Sequence, residues 1–314
     1  MLDVVCFGEI LWDVFEVRPA LFRRELGGAP ANVATGLARL GAKVAVAGGV
    51  GRDRFGDALV EHLAADGVDV RHVLRFPNRT GLTFVTRDAR GEPQFLFYRH
   101  ESADLAVRAT DVKPAMGRAR WVLVGTSTLM TPALARATER FLDVARRAGA
   151  AIFVDLNVRA HMWPDRRTMA RAIGTLAGQA SLVKASDADL RAVGGGTGTR
   201  WLERHAARAS WLITRGAGVA SAFGEHGVVS APASRARCVD ATGAGDAFIA
   251  GALATLVAAR AAPGTPAWAD ADVWRKALRA GHLMGKKAVS RPGAVAGLVH
   301  LGRARAVVES ARSG

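Results

Sequence analysis

The chemistry of this chain is concentrated in one run, Asp240-Ala241-Thr242-Gly243-Ala244-Gly245-Asp246, which leads straight into a small, apolar stretch from Ala247 to Ala259. Glycines at 243 and 245 let backbone N–H groups turn toward one point, and a helix starting there adds the positive end of its dipole. The run reads as an anion hole with a carboxylate at its rim. Beside a bound phosphate, Asp246 could take the proton from an attacking hydroxyl. The same residues also read as a Gly-rich helix start with Asp246 as its cap, and the run alone does not choose. A second acid, Asp13, follows the first strand-like run in Gly8-Glu9-Ile10-Leu11-Trp12-Asp13. Near the carboxyl end of a strand, where open α/β sheets bind ligands, it could accept two hydroxyl hydrogen bonds. It also reads as a solvent-facing loop acid.

Positioning these groups requires a scaffold, and short β-branched runs alternate with longer helical stretches. Strands are predicted at Asp3–Phe7, Val44–Ala47, Trp121–Val124, Ala151–Val154, Ser181–Val183 and Trp211–Thr214. The alternation implies a largely parallel sheet covered by helices on both faces. Thr131-Pro132 reads as a helix start, Gly41, Gly67 and Gly149 as helix ends, and Gly194–Gly198 as a loop. One region breaks the pattern. Thr80–Arg87 and Gln94–Tyr98 look like strands joined by a turn at Asp88-Ala89-Arg90-Gly91, and with Val14–Leu26 they could form a small separate sheet. That sheet reads either as a lid over the main strands or as an edge hairpin.

Half of the 314 residues are apolar and 23% are charged, enough hydrophobic material for a sizeable core. The net charge of +15 could mean an anionic or nucleic-acid partner. Only six of the 43 basic residues are lysines, however, and the arginines are spread without a long basic run, so no nucleic-acid partner is expected. No apolar run approaches the roughly 20 residues that span a bilayer. No export signal is visible, and Cys6 and Cys238 look like isolated fillers, so a cytoplasmic protein with no membrane partner is expected.

Two motifs at opposite ends of the chain carry a resemblance. The Asp240–Asp246 run is similar to the C-terminal signature of the ribokinase-like, or PfkB, carbohydrate kinases, and Gly27-Gly28-Ala29-Pro30-Ala31-Asn32-Val33-Ala34, ending in Leu40-Gly41, resembles their N-terminal signature. The resemblance implies an αβα sandwich with a mostly parallel sheet and a small β-sheet lid, as one kinase domain over 1–314 with lid segments near 14–26 and 80–107. It also implies ATP as phosphoryl donor with Mg2+, and no Walker-type loop; none is present. By the same resemblance Asp246 is the catalytic base beside an anion hole of Gly243, Ala244 and Gly245, while Asp13, Gly27, Gly28 and Asn32 contact the sugar.

Phe97-Tyr98-Arg99-His100-Glu101-Ser102-Ala103-Asp104 and Asp155-Leu156-Asn157-Val158-Arg159, with Trp163 nearby, resemble fructokinases and 2-keto-3-deoxygluconate kinases more than ribokinase. Arg99 and Arg159 could orient the sugar or steady phosphate charge, or simply be surface arginines. Lys184-Ala185-Ser186-Asp187-Ala188-Asp189 sits where the family often carries Asn-x-x-Glu to organise magnesium through water; Ser186 replaces the amide and Asp189 is shorter than Glu. Lys184, Ser186 and the Thr214-Arg215-Gly216-Ala217-Gly218 turn, through Thr214, Gly216 and Gly218, would approach the nucleotide. Ala288–Val295 is similar to a segment whose carbonyls, here at Ala288, Arg291 and Gly293, join Asp240 and Thr242 around a monovalent cation such as K+.

The expected activity is therefore phosphorylation of a small sugar by ATP, of the fructokinase type. Ketodeoxygluconate kinase, ribokinase and nucleoside kinase are alternatives, as is a non-catalytic sugar or nucleotide sensor. A homodimer through the lid would follow if both lid faces proved apolar.

Overall fold

The computed structural model describes residues 1–87, 93–234, 236–291, 293–295 and 297–298. The turn expected at 88–91 lies outside them. In chain order the elements are β1 (Leu2–Phe7), β2 (Leu11–Arg18), β3 (Leu21–Gly27), α1 (Ala29–Arg39), β4 (Val44–Gly51), α2 (Arg54–Ala65), β5 (Asp69–Phe76), β6 (Leu82–Arg87) and β7 (Pro93–Tyr98). There follow β8 (Ala119–Gly125), α3 (Pro132–Arg147), β9 (Ala151–Asp155), α4 (Arg166–Ala177), β10 (Leu182–Ser186), α5 (Asp187–Gly194), α6 (Thr199–His205) and β11 (Ser210–Thr214). The chain closes with β12 (Ala220–Gly224), β13 (Gly227–Ala231), α7 (Ala244–Ala258), α8 (Pro266–Ala269) and α9 (Ala271–Ala288).

A nine-stranded sheet runs β13-β12-β11-β10-β9-β8-β1-β4-β5. Its pairs are parallel from β11 through β5, and only β12 and β13 run antiparallel at one edge. Strand periodicity divides its side chains cleanly. Val4, Cys6, Trp121, Leu123, Phe153, Leu182 and Leu212 face one hydrophobic cluster with α1, α2, α7, α8 and α9. Their neighbours Val5, Phe7, Val122, Val124, Val154, Val183 and Ile213 face a second with α3, α4, α5 and α6. The result is the expected α/β sandwich of helices on both faces.

All six predicted strands of this sheet are present, with bounds shifted by a few residues, and β5, β12 and β13 join them. Thr131 caps α3 by accepting from Leu134 N, with Pro132 at the first turn, and Gly41, Gly67 and Gly149 take positive φ just past helix ends. Cys6 and Cys238 are both free thiols. Among the described residues no helix is long and apolar enough to cross a membrane.

The second sheet has four strands in the order β3-β2-β6-β7. Only Gly8, Glu9 and Ile10 separate β1 of the large sheet from β2 of the small one. Trp12 secures this root, because its indole N–H donates to Phe55 O of α2 at 2.9 Å while Arg24 lies 4.6 Å over its ring.

Candidate active site

The loop before α7 shows why the sequence carries glycine there. Gly243 caps the helix with φ 73°, and a Cβ on it would come within 2.5 Å of Ala294 Cα. Helix α7 is apolar on nearly every side and is buried between the sheet, α1 and α9, so its N-terminus is held by the core and not by solvent. Asp246 lies in its first turn and is 9% exposed. Its Oδ2 accepts from Asn32 Nδ2 of α1 at 2.8 Å. Burial pushes the Asp246 carboxyl up to about 6; the Asn32 bond opposes this, Asp155 adds to it, and Lys184 and Arg159 oppose it.

Asp246 opens into a cavity of about 350 Å³ whose walls include Thr242, Gly243 and Gly245 together with Asp13, Gly28, Asn32, Arg99 and Arg159. The small sheet forms the remaining wall. Its inner face presents Leu11, Asp13, Thr83, Phe95 and Phe97, which cross-strand register places side by side, with Asp13 opposite Thr83 and Thr83 opposite Phe97. Asp13 rests against Gly27, where a Cβ would sit 2.5 Å from its carboxyl carbon. Gly28 has φ 95°, and a Cβ there would strike Glu9 O at 2.3 Å, so the backbone can fold over the cavity only with glycine. Burial first, then Asp246, pushes the Asp13 carboxyl up to about 7; Arg159 and Arg99 act the other way, and Glu9 adds to the rise.

The two arginines differ. Arg99 is buried and forks onto Asp104, Nε at 3.0 Å and Nη2 at 2.5 Å, so most of its charge is already matched. Arg159 donates to Asn157 Oδ1 at 2.7 Å and faces the cavity from a more open position. Lys184 also lines this cavity, paired with Asp155 at 3.3 Å.

Ser186 and Asp189 form a capping box at the start of α5. Asp189 Oδ2 accepts from Ser186 N and Oγ at 2.7 Å, and its Oδ1 accepts from Val158 N at 2.7 Å. Thr214 pairs in register with Ser186, and the turn behind it places Gly216 at φ 54° and closes with Gly218 N donating to Arg215 O; these three residues are not in the cavity wall. Asp240 is buried, its Oδ1 accepting from Thr242 N and Oγ1 and its Oδ2 from Gly293 N at 3.0 Å. That bond ties the segment after Ala288, the last residue of α9, to the glycine loop, while Arg291 is exposed.

Several cavity groups were not singled out from sequence. Glu9 accepts from Ser127 Oγ at 2.5 Å, and both face the cavity, as do Asn157, Met162 and the small-sheet residues Thr83, Phe95 and Phe97. Glu9 stands at a strand's carboxyl end, which could have marked it; Ser127 carries no signal of its own.

The profile of the pfkB family carbohydrate kinases matches residues 1–300. The chain belongs to that family. Fructokinase-1 of Zea mays is 35% identical over 272 residues, covering 81% of this chain and 83% of its own length. Probable fructokinase-2 of Arabidopsis thaliana is 30% identical over 312 residues, 94% of this chain and 92% of its own. The crystal structure of a fructokinase with bound ATP from Xylella fastidiosa is similar at a TM-score of 0.88 and 29% identity, over 99% of each chain. This carbohydrate kinase is thus a ribokinase-fold enzyme that phosphorylates a sugar, and Asp246 and Asp13 face one cavity at the carboxyl edge of its large sheet.

Proposed function

We propose that this kinase transfers the γ-phosphoryl group of ATP to a hydroxyl of a neutral sugar, fructose before others, with the chain acting as one domain and the small sheet as its lid. The observation that carries the reading is the placement of Asp246 between the positive end of a buried helix and a cavity already lined by Asp13. The hydroxyl oxygen attacks the γ-phosphorus, its proton passes to an Asp246 oxygen, and the bond to the β,γ-bridging oxygen breaks in favour of ADP. The backbone N–H groups at 243–245 and the α7 dipole receive the developing charge. Asp13, with Gly27, Gly28 and Asn32, holds the sugar hydroxyls, and Thr214, Gly216 and Gly218 lie on the side from which the nucleotide enters.

Charge favours a neutral substrate. Glu9, Asp13 and Asp246 all face the cavity, while Arg99 is engaged by Asp104, leaving Arg159 as the cation least committed within it. An acid sugar would bring its carboxylate among three carboxyl groups. Magnesium would arrive on the nucleotide phosphates, which suits a cation that keeps several waters. The described residues do not form a cage for it: no group of three His, Cys, Asp or Glu side chains could hold a metal, and both Asp189 oxygens are taken by N–H and O–H donors. Beside Asp240 and Thr242 we propose a potassium site built on the backbone oxygens of Ala288, Arg291 and Gly293.

A lid-to-lid homodimer is favoured by the outer face of the small sheet, where Phe22, Phe84 and Tyr98 form an edge-to-face row and Phe22, Leu96 and Tyr98 are 46%, 54% and 65% exposed. Coupled ADP release over fructose, ribose, ketodeoxygluconate and nucleosides tests the function. Fructose should give the highest kcat/KM; preference for ketodeoxygluconate would hand the site to Arg159.

A further inference from the structure

Lys184 and Asp155 are direct partners in the parallel ladder between β10 and β9, which runs Leu182 to Phe153, Val183 to Val154 and Lys184 to Asp155. Paired residues in such a ladder share a face. The face is that of Leu182 and Phe153, which is covered by α7, so the register delivers the pair to the helix whose N-terminus forms the glycine loop. The ammonium reaches that loop. Nζ lies 3.3 Å from the point a Cβ on Gly245 would occupy, and Lys184 and Gly245 line the same cavity. The side chains of Lys184 and Asp155 are only 6% and 3% exposed.

Burying a lysine and an aspartate confers little stability, because the lost hydration offsets their attraction. Burial alone would lower the Lys184 ammonium, but Asp155, Asp189 and Asp246 outweigh it and hold it above the ordinary lysine range, so it stays charged. A fixed, desolvated cation beside a ring of backbone N–H donors is suited to charge that appears only during reaction.

We infer that Lys184 is a catalytic residue that contacts the transferring phosphoryl group in the transition state, with Asp155 as the positioning residue that holds its Nζ against Gly245. The inference rests on the phosphoryl-transfer reading above. Lys184 neither gives nor takes a proton. The hydroxyl proton goes to Asp246 and the electron pair of the cleaved P–O bond goes to ADP, while the transferring phosphoryl group moves toward the fixed ammonium as charge redistributes over its equatorial oxygens. Its effect is therefore expected on kcat and not on the binding of ATP.

The test compares wild type, Lys184→Met, and the double variant Lys184→Met with Asp155→Asn, which removes both buried charges and so guards against misfolding. Turnover is measured on the best sugar of the panel, and equilibrium binding with a non-hydrolysable ATP analogue; thermal melting confirms folding. Both variants should lose roughly 10²–10³-fold in kcat, the worth of one preorganised donor, while the analogue's Kd stays within about threefold. Wild-type kcat in the double variant would mean that Lys184 merely neutralises Asp155, and would overturn the inference. So would a Kd that weakens by as much as kcat/KM falls while kcat holds. A wild type that phosphorylates no sugar would defeat the functional reading instead. Slow ATP hydrolysis by the three proteins would then decide the role of Lys184 on the same criteria.

Discussion

The two halves of the site are built on different principles. The proposed phosphate half is backbone at the start of α7, a helix buried on nearly every side, and its position is fixed by the core. The proposed sugar half is side chains, several of them on a four-stranded sheet whose outer face carries Phe22, Leu96 and Tyr98 in the open. Rigid backbone suits a phosphoryl group that every reaction of this class shares, whereas side chains on a small sheet can be exchanged without disturbing the core. Changes in the first half should therefore abolish turnover, and changes in the second should redirect or weaken it.

The largest effect is expected at the junction of the halves. Asp246→Asn should lower turnover by roughly 10²–10⁴-fold with ATP binding nearly intact. Near-normal turnover in the folded variant would remove Asp246 from the mechanism. In wild type the acid limb of kcat/KM should fall off as pH drops through the region of about 6 to 7, where Asp246 and Asp13 take up protons as a coupled pair.

On the sugar side, Asp13→Ala should reduce kcat/KM for fructose by about 10–150-fold, the cost of a lost charged hydrogen-bond contact of 1.5–3 kcal/mol. An unharmed or improved activity on ketodeoxygluconate would show that the arginines define the sugar half. A smaller effect would separate the proposed cation site from both. Potassium should raise turnover several-fold over sodium or a bulky organic cation at constant ionic strength; equal rates would remove the proposed cation site.

The smallest effect is on stability, and it has the opposite sign. The folded Asp13 titrates near 7 and the unfolded one near 3.8, so the folded state binds the extra proton. Its stabilising contribution is full below 3.8 and lost as pH rises through 7. Asp13→Asn should thus melt higher than wild type at pH 8, by on the order of a few °C, with the gain fading toward pH 4. A variant no more stable than wild type at pH 8 would mean that Asp13 is not strained by its burial.

What was legible in the sequence divides along the same line. The glycine loop was readable because backbone geometry leaves its mark in residue type at adjacent positions. The sugar half was readable mainly through resemblance, since the Asn32–Asp246 bond joins residues 214 apart and nothing local announces it. Lys184 was expected to approach the nucleotide, but its buried pairing with Asp155 emerged only with the ladder that sets the two opposite. Ser186-x-x-Asp189 has the spacing of a capping box, and that is the role it takes at the start of α5. Strand β5 was hidden because Arg71, His72 and Arg75 interrupt its apolar residues, and β12 and β13 because Ala220–Gly224 and Gly227–Ala231 are short and rich in small residues.

The three-residue step from β1 to β2 has an engineering consequence. The small sheet is assembled from two separate stretches of chain, and the first junction passes through Glu9, within four residues of Asp13. A chimera that grafts another kinase's small sheet onto this body must cut there. It would import the donor's equivalent of Asp13 with the graft, while retaining Asp246, Asn32 and Lys184 from the host. Substrate preference should travel with the transplanted strands, and the phosphoryl-transfer machinery should stay behind.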